Sequence, residues 1–261
     1  MRFKRDGLNL YYEVSGPEHT PPILLIHGFP VSGEMWRPMC ELLKNDLRLI
    51  NPDLRGLGRS EASDDASMSG YVDDCVALLE AIGETRPVTV MGLSMGGYLA
   101  FEFFRRARTR VRALILADTR GNPDSAEGRK GRFATAEKVL REGSQVVADA
   151  MIEKVFAKSA PADLRSHWLE VMRRSNRRGV AAALRAMANR ADSTLTYSGI
   201  DVPTLILVGD EDVITPPEDS RIMHDAIRGS RLVMIPGAGH LAPTERPEPV
   251  AAAVGAFMKS L

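Results

Sequence analysis

The stretch Val88-Thr89-Val90-Met91-Gly92-Leu93-Ser94-Met95-Gly96-Gly97-Tyr98 runs from an apolar β-rich segment through Gly-x-Ser-x-Gly into a helical pattern that continues to Arg106. Strand, tight turn and helix in that order make a nucleophile elbow, in which the turn forces the serine into a strained backbone conformation. Residues two positions either side must then be minimal, and Gly92 and Gly96 stand there. The five-residue motif alone arises by chance; the strand before it and the helix after it supply the structural context it needs.

Outward from this turn, short apolar runs recur at Ile23–Ile26, Leu47–Ile50, Ala113–Ala117, Thr204–Val208 and Leu232–Ile235. They read as strands buried on both faces. Helical patterns lie between them, such as Tyr71, Val72, Cys75, Val76, Leu79 and Ile82 at the 3.6-residue period. This alternation predicts an α/β protein with a doubly wound, mostly parallel sheet. Phe3 and Leu8–Glu13, joined through Asp6-Gly7, read as an antiparallel hairpin on its edge. Thr215-Pro216-Pro217-Glu218 reads as a capping box, and Pro249 as the start of the last helix. Between about Arg120 and Asp192 no strand pattern appears, which predicts an inserted helical cap over 120–192 on a core of 1–119 and 193–261. The cap carries fifteen Arg/Lys against nine Asp/Glu, so it is the basic part of a chain that is neutral overall. Arg173, Arg174, Arg177 and Arg178 within it read as two like-charged i, i+4 pairs on one helix, and as a solvated face.

The 261 residues are 44% hydrophobic and 26% charged, which excludes disordered and disulfide-scaffold classes. With 34 basic and 34 acidic residues, the chain offers no overall attraction to nucleic acid or an anionic membrane. No apolar run reaches membrane-spanning length and no secretory h-region follows the start, so a soluble cytoplasmic protein is expected. Cys40 and Cys75 fit no metal-ligand spacing and read as reduced thiols. Neither a metal nor an organic cofactor is expected.

Taken with His27-Gly28-Phe29-Pro30, Pro52–Ser60, Leu116–Arg120, Val208–Pro217 and Gly237-Ala238-Gly239-His240, the elbow resembles the α/β-hydrolases over nearly the whole chain. Within them it is similar to small carboxylesterases and to 3-oxoadipate enol-lactonase. The resemblance implies Ser94 as nucleophile and His240 as base. It implies Asp212 as the orienting acid, with Asp118 and Asp210 as alternatives. A serine hydroxyl is a weak nucleophile at neutral pH, so it needs such a base and the base needs such a carboxylate. The resemblance also implies an oxyanion hole from the backbone N–H groups of Phe29 and Met95, with His27 shaping the first of these. Candidate pocket residues are Trp36, Trp168, Met172 and Met187. The expected function is cleavage of a small-molecule carboxylic ester or lactone through an acyl-enzyme. The alternatives are a C–C bond hydrolase or perhydrolase on the same residues, or a non-catalytic ligand-binding protein of this fold. The basic cap reads as a solvated face that needs no ligand, with a preference for substrates bearing a remote carboxylate as the alternative. Oligomeric state is not legible.

Overall fold

The computed structural model describes residues 1–261. Its first two strands, β1 (Arg2–Arg5) and β2 (Leu8–Ser15), pair antiparallel with Arg5 opposite Leu8. Asp6 and Gly7 turn the chain with φ of 51° and 79°, and two successive positive φ values match a hairpin turn to the twist of its strands.

Six further strands follow: β3 (Pro22–Ile26), β4 (Arg48–Pro52), β5 (Val88–Leu93), β6 (Val111–Ala117), β7 (Thr204–Gly209) and β8 (Arg231–Ile235). The eight form one sheet in the order β1-β2-β4-β3-β5-β6-β7-β8. β2 meets β4 antiparallel, and every pairing beyond β4 is parallel. Helices α1 (Arg37–Leu43), α2 (Met68–Ala81) and α3 (Met95–Arg106) separate the earlier strands. Then α4 (Ala126–Glu142), α5 (Gln145–Met151), α6 (Ala162–Arg173) and α7 (Arg177–Ala188) fill the span between β6 and β7. The chain closes with α8 (Pro217–Ala226), α9 (Ala242–Glu245) and α10 (Pro247–Lys259).

The sheet is covered on both faces, which is why its strands are apolar runs rather than alternating ones. Leu24, Ile26, Val88, Val90, Leu114 and Leu116 pack with Tyr71, Leu78, Phe101 and Phe103 of α2 and α3. Their neighbours Ile23, Leu25, Met91, Leu93, Ile115 and Leu207 pack with Met39, Val254 and Phe257 of α1 and α10 on the opposite face. No helix is long and apolar enough to cross a membrane.

The four helices between β6 and β7 do not bury their apolar sides among themselves alone. Ala136, Val139 and Val180 share one apolar cluster with the sheet, while Val155, Phe156, Trp168 and Met172 share the other. At one contact the backbones touch: a Cβ on Gly179 of α7 would fall 1.8 Å from the Gly56 carbonyl oxygen, and Gly56 itself has a φ of +78°. Neither position has room for a side chain. Gly179→Ala is therefore expected to destabilise the fold by about 1–3 kcal/mol, the usual cost of overpacking, read as a lower urea midpoint. An unchanged midpoint would show that the helices shift freely on the core.

Three local readings need correction. Thr215 does not cap α8, which starts at Pro217 with no side-chain cap, because the Thr215 hydroxyl is engaged by Asp212 instead. The last helix starts at Pro247, two residues before Pro249, since Pro at either place is compatible with a first helical turn. The four arginines do not lie on one helix: α6 ends at Arg173, and Asn176 opens α7 by accepting from the Arg178 N–H. Arg173 pairs with Asp149 at 2.8 Å, Arg174 with Glu170 at 3.6 Å and Arg178 with Asp64 at 2.7 Å, so most of this charge is met at the surface.

Candidate active site

Ser94 sits between β5 and α3 with φ 55° and ψ −113°, a conformation that L-residues rarely hold. Its surroundings keep it there. A Cβ on Gly92 would fall 2.0 Å from the Gly96 carbonyl oxygen, and one on Gly96 would fall 2.0 Å from that of Ile26, so both small residues are obligatory. The Ser94 N–H donates to the Ala117 carbonyl at 3.0 Å, and the Thr119 hydroxyl donates to the Ser94 carbonyl at 2.8 Å. The end of β6 thus clamps the elbow on both backbone sides.

Three carboxylates lie at the same end of the sheet, and they are used differently. Asp212 Oδ2 is 2.8 Å from His240 Nδ1, and both side chains are buried. Asp210 is exposed and accepts from the Gly237 N–H at 2.7 Å, which ties the β7 and β8 exits together. Asp118 is buried, accepts from the Gly209 N–H at 2.8 Å and has no partner for Oδ2. Burial, and then the charge of Asp212, hold the Asp118 carboxyl well above the usual range. Burial also pushes Asp212 upward, but the His240 charge and the donors from His240 and Thr215 outweigh it and leave its pKa lowered. Asp212 is therefore the ionised carboxylate of the three that touches an imidazole.

His240 Nε2 is buried and has no hydrogen-bond partner, and no hydrogen bond joins it to Ser94. With Nδ1 committed to Asp212, the free lone pair is on Nε2. The other histidines are occupied elsewhere. His27 is fully buried, which lowers its pKa, with Nδ1 2.7 Å from the Gly28 carbonyl and Nε2 accepting from the Leu54 N–H at 3.0 Å. Both its nitrogens are used, so it braces the Gly28-Phe29 backbone. His167 is exposed beside Glu34, His224 contacts Ser230, and His19 is exposed.

Met95 is the first residue of α3, where an N–H has no acceptor within the helix. Neither its N–H nor that of Phe29 has an acceptor anywhere in the protein. A helix N-terminus adds a partial positive field at that point. A cavity of about 650 Å³ opens at Ser94 and is lined by Phe29 and Tyr98 from the core, Val147 and Met151 from α5, and Leu184 and Met187 from α7. Arg120, Asp124, Arg132 and Lys138 supply its charged wall. Asp124 is engaged by two guanidinium groups, Arg132 and, at 2.9 Å, Arg190, which also lies over the Tyr98 ring. The cluster carries an excess of one positive charge.

Residues 23–253 match the alpha/beta hydrolase family. The chain is an α/β-hydrolase. It is 26% identical to 3-oxoadipate enol-lactonase 1 of Acinetobacter baylyi, covering 100% of this chain and 97% of that protein. A bifunctional esterase/perhydrolase of Acinetobacter calcoaceticus is 28% identical over 98% of both chains. Among solved structures, a thermophilic esterase from Thermogutta terrifontis with malate bound superposes with a TM-score of 0.96 at 38% identity, covering 100% of this chain and 98% of the other.

In this α/β-hydrolase, Met187 lines the cavity as expected from sequence, but Trp36, Trp168 and Met172 do not. These three are buried in the apolar cluster that also includes Met39 of α1 and Val254 and Phe257 of α10. Thr215 and the Arg132–Asp124–Arg190 cluster were not legible in the sequence. The only signal for Thr215 was its position three residues after Asp212. The cluster joins residues 66 positions apart and had none.

Proposed function

We propose that this α/β-hydrolase cleaves small carboxylic esters or lactones through an acyl-enzyme, with Ser94, His240 and Asp212 as its catalytic residues. The observation that carries the reading is the buried Asp212–His240 pair, whose Nε2 is left free at the sheet end that also holds the strained Ser94. His240 Nε2 takes the Ser94 proton as Oγ bonds to the substrate carbonyl carbon, and the Phe29 and Met95 N–H groups receive the oxyanion. Collapse of the tetrahedral species expels the alcohol, which leaves with the proton from His240. Water then repeats the sequence against the acyl-enzyme, releasing the acid and restoring Ser94. In a lactone the alcohol stays tethered to the acyl group. The helices of residues 120–192 act as a cap, since α4, α5 and α7 supply most of the cavity wall.

The test is turnover of p-nitrophenyl esters of graded acyl length and of small lactones, together with labelling by an active-site phosphonate. Turnover with labelling at Ser94 is expected. Labelling without turnover would favour a binding protein of hydrolase fold.

The excess positive charge at Asp124 supports a finer reading, in which the preferred substrate carries a carboxylate. Two guanidinium groups share Asp124, and Arg132 lines the cavity beside Arg120 and Lys138, so an anionic ligand there completes the pairing. The similar esterase holds malate, a dicarboxylate, and the similar lactonase is named for an adipate. A carboxylated ester is expected to exceed its neutral counterpart in kcat/KM by about 10-fold or more at low salt, with the advantage shrinking as salt screens it. Arg132→Gln should remove the advantage, because Arg190 alone then balances Asp124. Equal rates for both esters would refute the preference and leave the hydrolase reading standing.

A further inference from the structure

Thr215 lies in the loop between β7 and α8 and is 1% exposed. Its Oγ1 is 2.6 Å from Asp212 Oδ2 and 3.2 Å from His240 Nδ1. Asp212 Oδ1, meanwhile, accepts from the N–H groups of Ile214 at 2.8 Å and Thr215 at 3.1 Å. One residue thus touches both oxygens of the carboxylate and the imidazole that the carboxylate orients.

A hydroxyl has one proton and two lone pairs, whereas an ionised carboxylate has only lone pairs to offer. The Thr215 proton therefore goes to Asp212 Oδ2, and a hydroxyl lone pair is left towards Nδ1. Nδ1 faces two acceptors and no donor. Only the tautomer with its proton on Nδ1 suits that environment, and that tautomer keeps the lone pair on Nε2.

We propose that Thr215 is a positioning residue for the Asp212–His240 pair, its hydroxyl holding the carboxylate while fixing the imidazole proton on Nδ1. This rests on the serine-hydrolase reading above. When Nε2 gains a proton the ring becomes a cation, and its Nδ1–H lies between Asp212 Oδ2 and Thr215 Oγ1. The other titratable and charged groups near the pair are Asp118 at the β6 exit, Asp219 on α8 with Arg120 opposite it, and Glu245 on α9. None of them is altered by a change at position 215.

Thr215→Val keeps the branched shape and removes both the donor and the acceptor. The carboxylate, less neutralised, then attracts the imidazolium more strongly, so the acid limb of kcat/KM moves to higher pH by several tenths of a unit. Loss of the enforced tautomer lowers kcat by about tenfold, the size expected for one charge-assisted hydrogen bond. KM stays unchanged, because Thr215 does not line the cavity. Thr215→Ser restores the hydroxyl and brings kcat and the acid limb back towards the parent.

The experiment measures pH profiles of p-nitrophenyl acetate hydrolysis for the parent, Thr215→Val and Thr215→Ser, with Thr215→Ala replacing the valine variant if that does not fold. A low-field proton NMR spectrum of each free protein follows the Nδ1 proton, which should exchange faster without the hydroxyl. Parent-like kcat and acid limb in the hydroxyl-less variant overturn the proposal, as does Thr215→Ser behaving like that variant. If the parent hydrolyses nothing, the hydrolase reading itself has failed. The Nδ1 proton still decides the positioning role, because equal exchange in all three proteins overturns it.

Discussion

Ser94→Ala lowers ester turnover by about 10⁴–10⁶-fold and leaves the fold intact, the effect expected when a residue that forms the covalent intermediate is lost. Alanine fits the site, since the clashes that restrict this turn come from positions 92 and 96. Part of the backbone strain at φ 55° remains in the variant, so its melting temperature should stay close to the parent's. His240→Ala should be nearly as damaging, because without Nε2 the Ser94 proton has no acceptor. Asp212, whose pKa its donors and the His240 charge hold below the ordinary carboxylate value, stays ionised to lower pH than a free aspartate. Stopped or steady-state assays with a purified variant decide the matter. Activity above about one percent in Ser94→Ala would exclude the acyl-enzyme route, given the size of effect expected.

Asp212→Asn is the second large effect, a loss of about 10⁴ in kcat, and it separates the three carboxylates. Four donors converge on Asp212: the Ile214 and Thr215 N–H groups, the Thr215 hydroxyl and His240 Nδ1. An amide has one acceptor oxygen, so its NH₂ group must face some of these donors, and the ring is driven towards the wrong tautomer. Asp118→Asn should cost far less. No donor meets its Oδ2, and an asparagine oxygen accepts from the Gly209 N–H as the carboxylate does. Asp210→Asn keeps the bond from Gly237 by the same substitution of one acceptor for another. Measured kcat values for the three variants should rank Asp212→Asn lowest by a wide margin. Asp118→Asn as the most damaged variant would move the acid to the end of β6.

Local chemistry made much of the fold readable before any coordinates. A residue forced into a strained turn needs glycine neighbours, a strand covered on both faces needs an unbroken apolar run, and a two-residue hairpin needs residues that tolerate positive φ. Gly92 and Gly96, Ile23–Ile26 and Asp6-Gly7 each state such a need within a few positions. Ser94, Asp212 and His240 could be singled out as candidates because each follows a strand in the order Ser, Asp, His.

The tertiary structure decided everything that depends on which distant residues meet. Asp118, Asp210 and Asp212 are equally acidic in sequence; only their placement at the β6 and β7 exits sets one with a lowered pKa against an imidazole and leaves another buried with its carboxyl held well above the usual range. Trp36, Trp168, Met172 and Met187 are equally apolar, and a core and a substrate cavity demand the same kind of side chain. Packing of α4, α5 and α7 over Ser94 put Met187 in the cavity wall and left the other three in the core. Likewise Arg132 and Arg190 form a cationic cluster only because both fold onto the cavity-lining Asp124. Composition and spacing describe what a segment needs, whereas partners separated by tens of residues are chosen by the packing of the whole chain.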